Sequence, residues 1–346
     1  MRELKKLFAL PKEEQKLAII HVATVKGLPP MVVEKDLWVT VILHLLFGKG
    51  REEGLVFKGG TSLSKGFNII QRFSEDIDIT LKTSLLEKHF GTFDFDNPLE
   101  MWDEEWSGNK LKRSLEKLQL LSQQYVDEVM LSYLKTQLHS LIRKDVTILS
   151  EGEMTLNVYY PKVLDDQEYG GEYIHPIVKI EVGVRSTPEP NIVQPIQSFI
   201  EEVKGESEPV EVTILRPNRT FWEKVTILHA ENSRNQPERI QKRNRMSRHL
   251  YDIIKLYASD FGKEAVANKA LLDKVVQHKT VFFKDNKAKY DEAIPEKLRL
   301  VPKGEMLKRF REDYDDMAKV MFSQDPPHFD EVLQILEEIE EKIRRL

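Results

Sequence analysis

Two aspartates separated by a single residue, Asp76 and Asp78, are the clearest candidates for chemistry in this sequence. They lie in the run RFSEDIDI at 72–79, where apolar and polar residues alternate as in a half-buried strand. On such a strand both carboxylates point to one face, where they repel each other unless a cation lies between them. Hard oxygen ligands of this kind suit Mg2+, with Mn2+ as an alternative. The pair therefore predicts a metal-dependent phosphoryl-transfer site.

A glycine turn precedes the aspartates, in the run KGGTSLSK at 58–65. Glycines lack Cβ and let a polyphosphate approach the backbone, and the helix predicted at 61–72 begins with unpaired N–H groups. Ser62 is expected to cap that helix. The residues of this segment that we expect to bind the nucleotide are Gly59, Gly60, Thr61, Ser62, Lys65 and Arg72. The run is not a P-loop, which requires G-x-x-x-x-G-K-[ST].

A third carboxylate is needed if the site holds two metal ions, and Glu181 in the run KIEVGVR at 179–185 is the candidate. Alternation along that strand places Lys179, Glu181 and Arg185 on one face. In a two-metal scheme Glu181 orients or deprotonates the attacking hydroxyl. The alternative is structural, because Lys179 or Arg185 can simply form an ion pair with Glu181.

Hydrophobic periodicity predicts the elements that position these residues. Helices are expected at 12–26 and 32–48, and strands at 55–57, 77–81, 154–160, 177–184 and 210–215. Residues 84–150 form a helical insertion, and the pattern is helical from 217 onward. We therefore predict an α+β fold in which residues 1–215 form a core with a mixed sheet flanked by helices. Residues 216–346 are predicted to form a helical C-terminal domain that completes the active-site cleft.

Composition narrows the functional classes. The chain has 346 residues, 40% of them hydrophobic, which suffices for a substantial core. It has no cysteine, so thiolate zinc sites and cysteine nucleophiles are excluded. Neither a membrane span nor a signal peptide is recognisable, so we expect a cytoplasmic protein.

The formal net charge is −5, so contact with nucleic acid requires a local basic patch. One candidate patch, the basic segment, comprises Arg234, Arg239, Lys242, Arg243, Arg245 and Arg248. Clusters of this kind can follow an RNA backbone. A solvated loop balanced by acidic neighbours is the alternative interpretation.

The run KGGTSLSKGFNIIQRFSEDIDIT resembles the glycine and double-aspartate motifs of the AbiEii-like toxin nucleotidyltransferases, within the DNA polymerase β-type superfamily. The resemblance spans nearly the whole chain, and it extends to VVEKDLWVT at 32–40, RTFWEKVTILH at 219–229, RHLYDIIKLY at 248–257 and VFFKDNKAKYDEAIPEKLRLVP at 281–302. It implies a nucleotidyltransferase-like sheet and a toxin of a type IV toxin–antitoxin or phage-abortive system. It also implies an NTP substrate, an RNA acceptor such as the 3′ end of tRNA, and a separately encoded antitoxin.

By the same resemblance, Asp76 and Asp78 match metal ligands, Lys224 matches a nucleotide-binding lysine and Asp252 matches a further active-site acid. Judged by periodicity alone, Lys224 and Asp252 are equally well explained as surface residues, with Asp252 paired to Arg248 or Lys255. Two other functions stay open. One is nucleotide transfer to a small molecule or a protein hydroxyl, and the other is a non-catalytic nucleotide-binding module.

Overall fold

The protein is described here by a computed structural model that covers residues 2–103, 105–142, 146–166, 168, 175–205, 208–242, 245–322 and 325–346. The chain forms two compact units. The first unit comprises Met1–Gly66 and Ser74–Leu215, and the second comprises Phe67–Phe73 and Arg216–Leu346. The short segment 67–73 thus leaves the first unit and the chain returns to it at Ser74.

A seven-stranded mixed sheet forms the centre of the first unit, with strand order β3-β4-β5-β2-β1-β7-β6. Its strands are β1 (Leu55–Lys58), β2 (Ile77–Leu81), β3 (Thr147–Gly152), β4 (Thr155–Tyr159), β5 (Ile177–Gly183), β6 (Asn191–Ile196) and β7 (Val210–Leu215). The pairs β2–β5 and β1–β7 are parallel, and the others are antiparallel. The predicted α+β class with a mixed sheet is confirmed.

Helices accompany this sheet in the first unit. They are α1 (Arg2–Ala9), α2 (Lys12–Lys26), α3 (Pro30–Phe47), α4 (Gly59–Lys65), α5 (Thr83–Phe90), α6 (Pro98–Met101), α7 (Gly108–Gln124), α8 (Leu131–Ile142) and α9 (Phe199–Lys204). A π-helical stretch, Tyr125–Met130, joins α7 to α8. Among the described residues, no single helix is long and apolar enough to span a membrane. Of the described helices, α2 and α3 taken together are long and apolar enough to do so, but a bend of 108° separates them.

Helix α3 is the central helix of the first unit, because every residue from Val33 to Leu46 is buried. Its buried positions include three consecutive charged residues, Glu34, Lys35 and Asp36. A charged group inside a protein must be paired or hydrogen-bonded to be tolerated. The partners of these three side chains therefore decide which segments α3 holds in place.

Two strands, β3 and β6, were not predicted from the sequence, and both lie at the edges of the sheet. An edge strand need not alternate between buried and exposed residues, and β3 has only one buried residue, Ile148. Strand β6 contains Pro195, which is tolerated only where the ladder does not need the missing N–H. Hydrophobic periodicity detects strands that have one apolar face and one polar face. The two edge strands lack this alternation, so the sequence pattern did not predict them.

The helix after the glycine turn differs from the prediction. It begins at Gly59 instead of Thr61 and ends at Lys65 instead of Arg72. Asn68 has a φ of 51°, a left-handed conformation that does not continue a helix. Ser62 does not cap α4, because it lies inside the helix and its hydroxyl donates to the Gly59 carbonyl oxygen at 2.9 Å.

The second unit is helical, as its periodicity predicts. Its helices are α10 (Pro217–Arg234), α11 (Pro237–Lys242), α12 (Arg248–Ala258), α13 (Asp260–Ala267), α14 (Lys269–Phe282), α15 (Gly304–Met321) and α16 (Phe329–Ile343). Single 3-10 turns lie at Tyr290–Glu292 and Pro295–Lys297. The segment 67–73 belongs to this unit because its backbone bonds α15, with the Phe73 N–H donating to the Met321 carbonyl oxygen.

Candidate functional site

Four polar side chains form a row across one face of the sheet, which we call the polar row. Strand register pairs Lys58 with Asp78, Asp78 with Glu181, and Glu181 with Thr155. Residues directly opposite each other on neighbouring strands project to the same face, with Cβ atoms about 4.5–5.5 Å apart. The Asp78 and Glu181 side chains, which are 103 positions apart in the sequence, are therefore neighbours.

Strand β2 has the predicted bounds, and Asp76 lies one residue before it. Ile77, the residue after Asp76, pairs with Ile180, the residue after Lys179. The Lys179 ammonium donates a hydrogen bond to the Glu181 carboxylate. That bond raises the pKa of Lys179, and the charges of Glu181, Asp76 and Asp78 raise it further. These four residues therefore form one electrostatic group.

Gly59 lies directly against the Asp78 side chain. Its φ is 77°, and a Cβ added there would lie 1.9 Å from Oδ2 of Asp78. No real side chain fits at such a distance, so the Asp78 carboxylate can occupy its position only because residue 59 is glycine. The structure thus shows a reason for this glycine other than the expected approach of a phosphate.

The loop before Asp76 is held from two sides. Thr61 of α4 donates its hydroxyl hydrogen bond to Ser74 at 3.0 Å. Lys35 of α3 binds both the Glu75 carboxylate and the carbonyl oxygen of His175, the latter at 2.9 Å. Since Glu75 precedes Asp76 and His175 precedes β5, one buried lysine binds the approaches to both acidic strands.

Lys65 has a different environment from the one predicted for a phosphate ligand. Its ammonium pairs with the Asp36 carboxylate, and the exposed fractions of these side chains are only 7% and 6%. The second oxygen of Asp36 accepts from the Phe199 N–H at 2.8 Å. Lys65 therefore ties the end of α4 to α3 and to the start of α9.

Lys58 is a cation of the first unit that sequence reasoning did not select. Its ammonium donates to the Ser186 hydroxyl at 2.8 Å, and a Cβ added at Gly183 would lie 3.8 Å from it. Lys58 is half-buried and belongs to the polar row. The sequence did contain a signal for Lys58, which is its place on a strand directly before the glycine turn. Its pairing with Asp78 on the neighbouring strand depends on the strand register, which a single sequence does not give.

The donor set can be tested against magnesium. Asp76 and Asp78 offer the hard carboxylate oxygens that Mg2+ prefers. Glu181, by contrast, bonds Lys179, as the structural alternative anticipated. Across the part of the chain that the structure describes, no three His, Asp or Glu side chains are grouped closely enough to hold an ion. The two aspartates therefore fit a metal, whereas one oxygen of Glu181 is already bonded to Lys179.

In the second unit, Asp252 binds two cations. Its carboxylate accepts two hydrogen bonds from Arg72, both 2.7 Å long, and its Oδ2 lies 2.8 Å from Nζ of Lys224. The side chain of Asp252 is 0% exposed and that of Lys224 is 8% exposed. The surface interpretation of both residues, with Asp252 paired to Arg248 or Lys255, is therefore wrong.

Opposing effects set the protonation of this cluster. Burial would raise the pKa of Asp252, but the charges of Arg72 and Lys224 and their hydrogen bonds lower it below its usual range. Burial lowers the pKa of Lys224, and the charge of Asp252 opposes that shift. Asp252 is thus an ionised carboxylate whose oxygens are already used, which makes it a poor general base.

The basic segment is partly neutralised by acidic neighbours. Arg234 bonds both Glu231 and Asp285, at 2.7 and 2.9 Å, and Arg239 bonds Glu231 at 3.3 Å. Arg243 and the side chain of Lys242 lie outside the described residues. The described part of the segment therefore has less free positive charge than its sequence indicates.

The sequence matches the family described as "Nucleotidyl transferase AbiEii toxin, Type IV TA system" over residues 44–335. The chain belongs to this family. The AbiEii match includes every predicted site residue, and it identifies the chain as an NTP-using nucleotidyltransferase toxin of a type IV toxin–antitoxin system, whose antitoxin is a separate protein.

Two further comparisons accompany the AbiEii match. A solved structure, MenT4, a nucleotidyltransferase toxin from Mycobacterium tuberculosis, is similar at 14% identity and a TM-score of 0.45. That alignment covers 96% of this chain and 99% of MenT4. The search of curated proteins gives no match.

Proposed function

We propose that this AbiEii family member transfers a nucleoside monophosphate from an NTP to an RNA hydroxyl, with the 3′ end of tRNA as the expected acceptor. The observation that supports this most is the pairing of Asp78 with Glu181 in the polar row, with Asp76 beside them. A protein that only bound nucleotides would gain nothing from three carboxylates that repel a triphosphate.

In the proposed reaction the acceptor oxygen attacks the α-phosphorus, the bond from that phosphorus to the bridging oxygen breaks, and pyrophosphate leaves. Mg2+ held by Asp76 and Asp78, or Mn2+ in its place, supplies charge stabilisation for the triphosphate. Glu181 accepts the proton of the attacking hydroxyl. Lys58, which lies next to Asp78 in the polar row, offers a positive charge to the phosphate oxygens.

The nucleotide-binding residues expected from the sequence are revised by their contacts. Lys65 is engaged with Asp36 inside the first unit, so we assign it to the support of α4. Ser62 and Thr61 are buried and hold the glycine turn and the loop before Asp76. Lys58 takes the place of Lys65 as the lysine proposed to contact phosphate.

The test is to incubate the purified protein with each α-labelled NTP, Mg2+ and total RNA, and to follow label on RNA. We expect labelled RNA from the wild type and a decrease of at least about 100-fold in Asp76→Ala and Asp78→Ala, as for other transition-state charge stabilisers. Asp166→Ala, which removes a 94% exposed aspartate, is the matched control with normal labelling. Normal labelling by both site variants would contradict the proposal.

A second acceptor class is favoured by one observation, the pairing of Arg234 and Arg239 with Glu231 and Asp285. Cations already neutralised in this way attract an RNA backbone less strongly. The same reaction on a hydroxyl of a protein or a small molecule needs no basic surface. Label that appears on protein in a lysate depleted of RNA would identify this acceptor class.

The biological role proposed is that of the toxin in a phage-abortive system. Expression of the wild-type chain alone should then stop growth, and co-expression of the separately encoded antitoxin should restore it. Asp78→Ala should permit growth without the antitoxin. Growth arrest by Asp78→Ala equal to the wild type would separate toxicity from nucleotide transfer.

A further inference from the structure

Lys179 of β5 lies among acidic side chains. It lies on the same sheet face as Glu181, two residues away, and its ammonium bonds that carboxylate. Asp78 is the register partner of Glu181, and Asp76 lies close enough to Lys179 for its charge to raise the pKa of that lysine. The Lys179 ammonium is therefore placed close to three negative charges.

The inference rests on the proposed function, because it takes Asp76 and Asp78 as metal ligands. We propose that Lys179 is the counter-ion of these carboxylates in the metal-free protein, and that a divalent metal binds by displacing the Lys179 ammonium from Glu181.

Electrostatics supports an exchange over simultaneous binding. An ammonium and a divalent cation within a few ångströms of the same carboxylates repel each other, so the metal binds more tightly once the ammonium leaves Glu181. Without a cation beside them, Asp78 and Glu181, which are register partners, repel each other across the two strands. The raised pKa of Lys179, which arises from its bond to Glu181 and from the charges of Asp76 and Asp78, agrees with this placement.

The exchange is mechanically simple. The side chains of Lys179 and Glu181 are 41% and 43% exposed, so neither is locked by packing. A lysine side chain is a flexible four-carbon stem, and its ammonium can turn to water without moving the strand. Glu181 is then released to face Asp78, which is the state that its proposed role in proton transfer requires.

The test measures Mn2+ binding by electron paramagnetic resonance, with no substrate present, in the wild type and in Lys179→Met. Removal of one competing unit charge near the surface should tighten Mn2+ binding by about tenfold. Lys179→Arg keeps the charge and should bind Mn2+ like the wild type. Lys82→Met is the matched control, since it removes a comparably exposed lysine that pairs with Glu189.

Suppose that Asp78→Asn abolishes Mn2+ binding but Lys179→Met binds Mn2+ no more tightly than the wild type. That result would overturn the inference about Lys179 and leave the proposed metal site intact. Equal Mn2+ binding by Asp78→Asn and the wild type would place the metal elsewhere. That outcome would remove the metal site of the proposed function, and this inference with it.

A stability measurement separates the counter-ion role from that of an ordinary surface ion pair. Lys179→Met should lower the melting temperature in EDTA, because it removes the cation that is bonded to Glu181, and saturating Mn2+ should remove most of that difference. A decrease of the same size with and without Mn2+ would show a merely structural ion pair and would overturn the proposal.

A double variant tests the exchange at Glu181 itself. Glu181→Gln removes the carboxylate to which Lys179 is bonded. In that background Lys179→Met should therefore increase Mn2+ affinity by less than half of the increase that the same change gives in the wild-type background. A full gain in that background would overturn the displacement from Glu181.

Discussion

Arg72 and Asp252 form a two-pronged ion pair, with hydrogen bonds of 2.7 Å from Nε and from a terminal guanidinium nitrogen to the two carboxylate oxygens, across 180 positions of sequence. The exposed fractions of the two side chains are 2% and 0%. Lys224 adds a second cation on the same carboxylate. Asp252 therefore places a single negative charge between two buried cations.

Asp252→Ala should destabilise the protein strongly, because it leaves these two cations uncompensated. We expect a decrease of about 3–5 kcal/mol in the free energy of unfolding, the size found when one partner of a buried pair is removed. Urea unfolding measures it. The matched control is Asp260→Ala, since Asp260 pairs with Lys263 but is 98% exposed, and its unfolding midpoint should not change. Equal midpoints for the two variants would contradict a structural role for Asp252.

Lys224→Ala should behave differently from Asp252→Ala. The bonds from Arg72 still satisfy the carboxylate, so folding should be retained with a smaller decrease in stability. The family resemblance assigns Lys224 to the nucleotide, and removal of one cation on a phosphate should raise the NTP dissociation constant by about tenfold or more. Isothermal titration with a non-hydrolysable NTP measures this. An unchanged dissociation constant would assign Lys224 to the ion cluster alone.

Gly59→Ala should impair transfer far more than stability. Both Gly59→Ala and the control Gly27→Ala place alanine at a positive φ, 77° and 65°, and each should cost about 1 kcal/mol of stability. Only at Gly59 does the new Cβ collide with Asp78, whereas nothing lies within 4 Å at Gly27. A displaced ligand should slow transfer by about 100-fold. Equal transfer rates for the two variants would show that Asp78 has room to move.

The stability of the first unit should fall in mild acid because of His44. Burial lowers the pKa of His44 to about 4, from 6.5 in the unfolded chain, so between these values the unfolded state binds more protons. Stability from the neutral ring is therefore complete above about pH 6.5 and is lost as the pH falls toward 4. Glu201, with a carboxylate oxygen 4.0 Å from Nε2, limits this decrease by stabilising the charged ring.

His44→Leu provides the measurement. The slope of unfolding free energy against pH between 4.5 and 6.5 should be flatter in this variant, by a total on the order of 1–3 kcal/mol. Comparison of the two proteins cancels the other groups that titrate in this range. Parallel slopes would mean that His44 is protonated as readily in the folded protein as in the unfolded chain.

RNA binding should depend on salt through the basic segment. Arg239→Ala, Lys242→Ala and Arg243→Ala combined should flatten the log–log salt dependence of RNA affinity, by about 0.7 for each single-strand phosphate that the variant no longer neutralises. A charge-matched triple variant tests whether position matters, and it changes three exposed lysines of the second unit, Lys263, Lys269 and Lys319, to Ala. Identical slopes for the two triples would show only an effect of net charge.

Alternation along the strands predicted the acidic face of the site, because β2 and β5 alternate between buried and half-buried residues where the carboxylates lie. The same reasoning placed Asp78 and Glu181 on matching faces but could not give their register, which depends on residues distant in sequence. The ion pair of Lys65 with Asp36 was not predicted, for a related reason. Its partner Asp36 lies 29 positions earlier on a helix whose three consecutive charged residues are all buried, and helical periodicity treats charged residues as exposed.

The pairing of Arg72 with Asp252 lay beyond any local pattern. A motif search finds RHLYD and QRFSED separately, but only the folded chain shows that segment 67–73 belongs to the second unit. The resemblance singled out Lys224 and Asp252, both of which are buried. It gave no indication that they bind each other, since a motif describes residue types and leaves their contacts undefined.

The parallel pairing of β2 with β5 has a consequence for how the site comes into existence. Residues 82–176 separate the two strands, so Asp78 and Glu181 become neighbours only after a long loop closes. Pairing between such distant segments is slow, because the entropy of loop closure must be overcome first. Since Glu181 lies in β5, the ribosome must translate residues 82–183 after β2 before the carboxylates can meet. Under the proposed function, a prematurely terminated translation product that lacks β5 is therefore harmless to the cell that makes it.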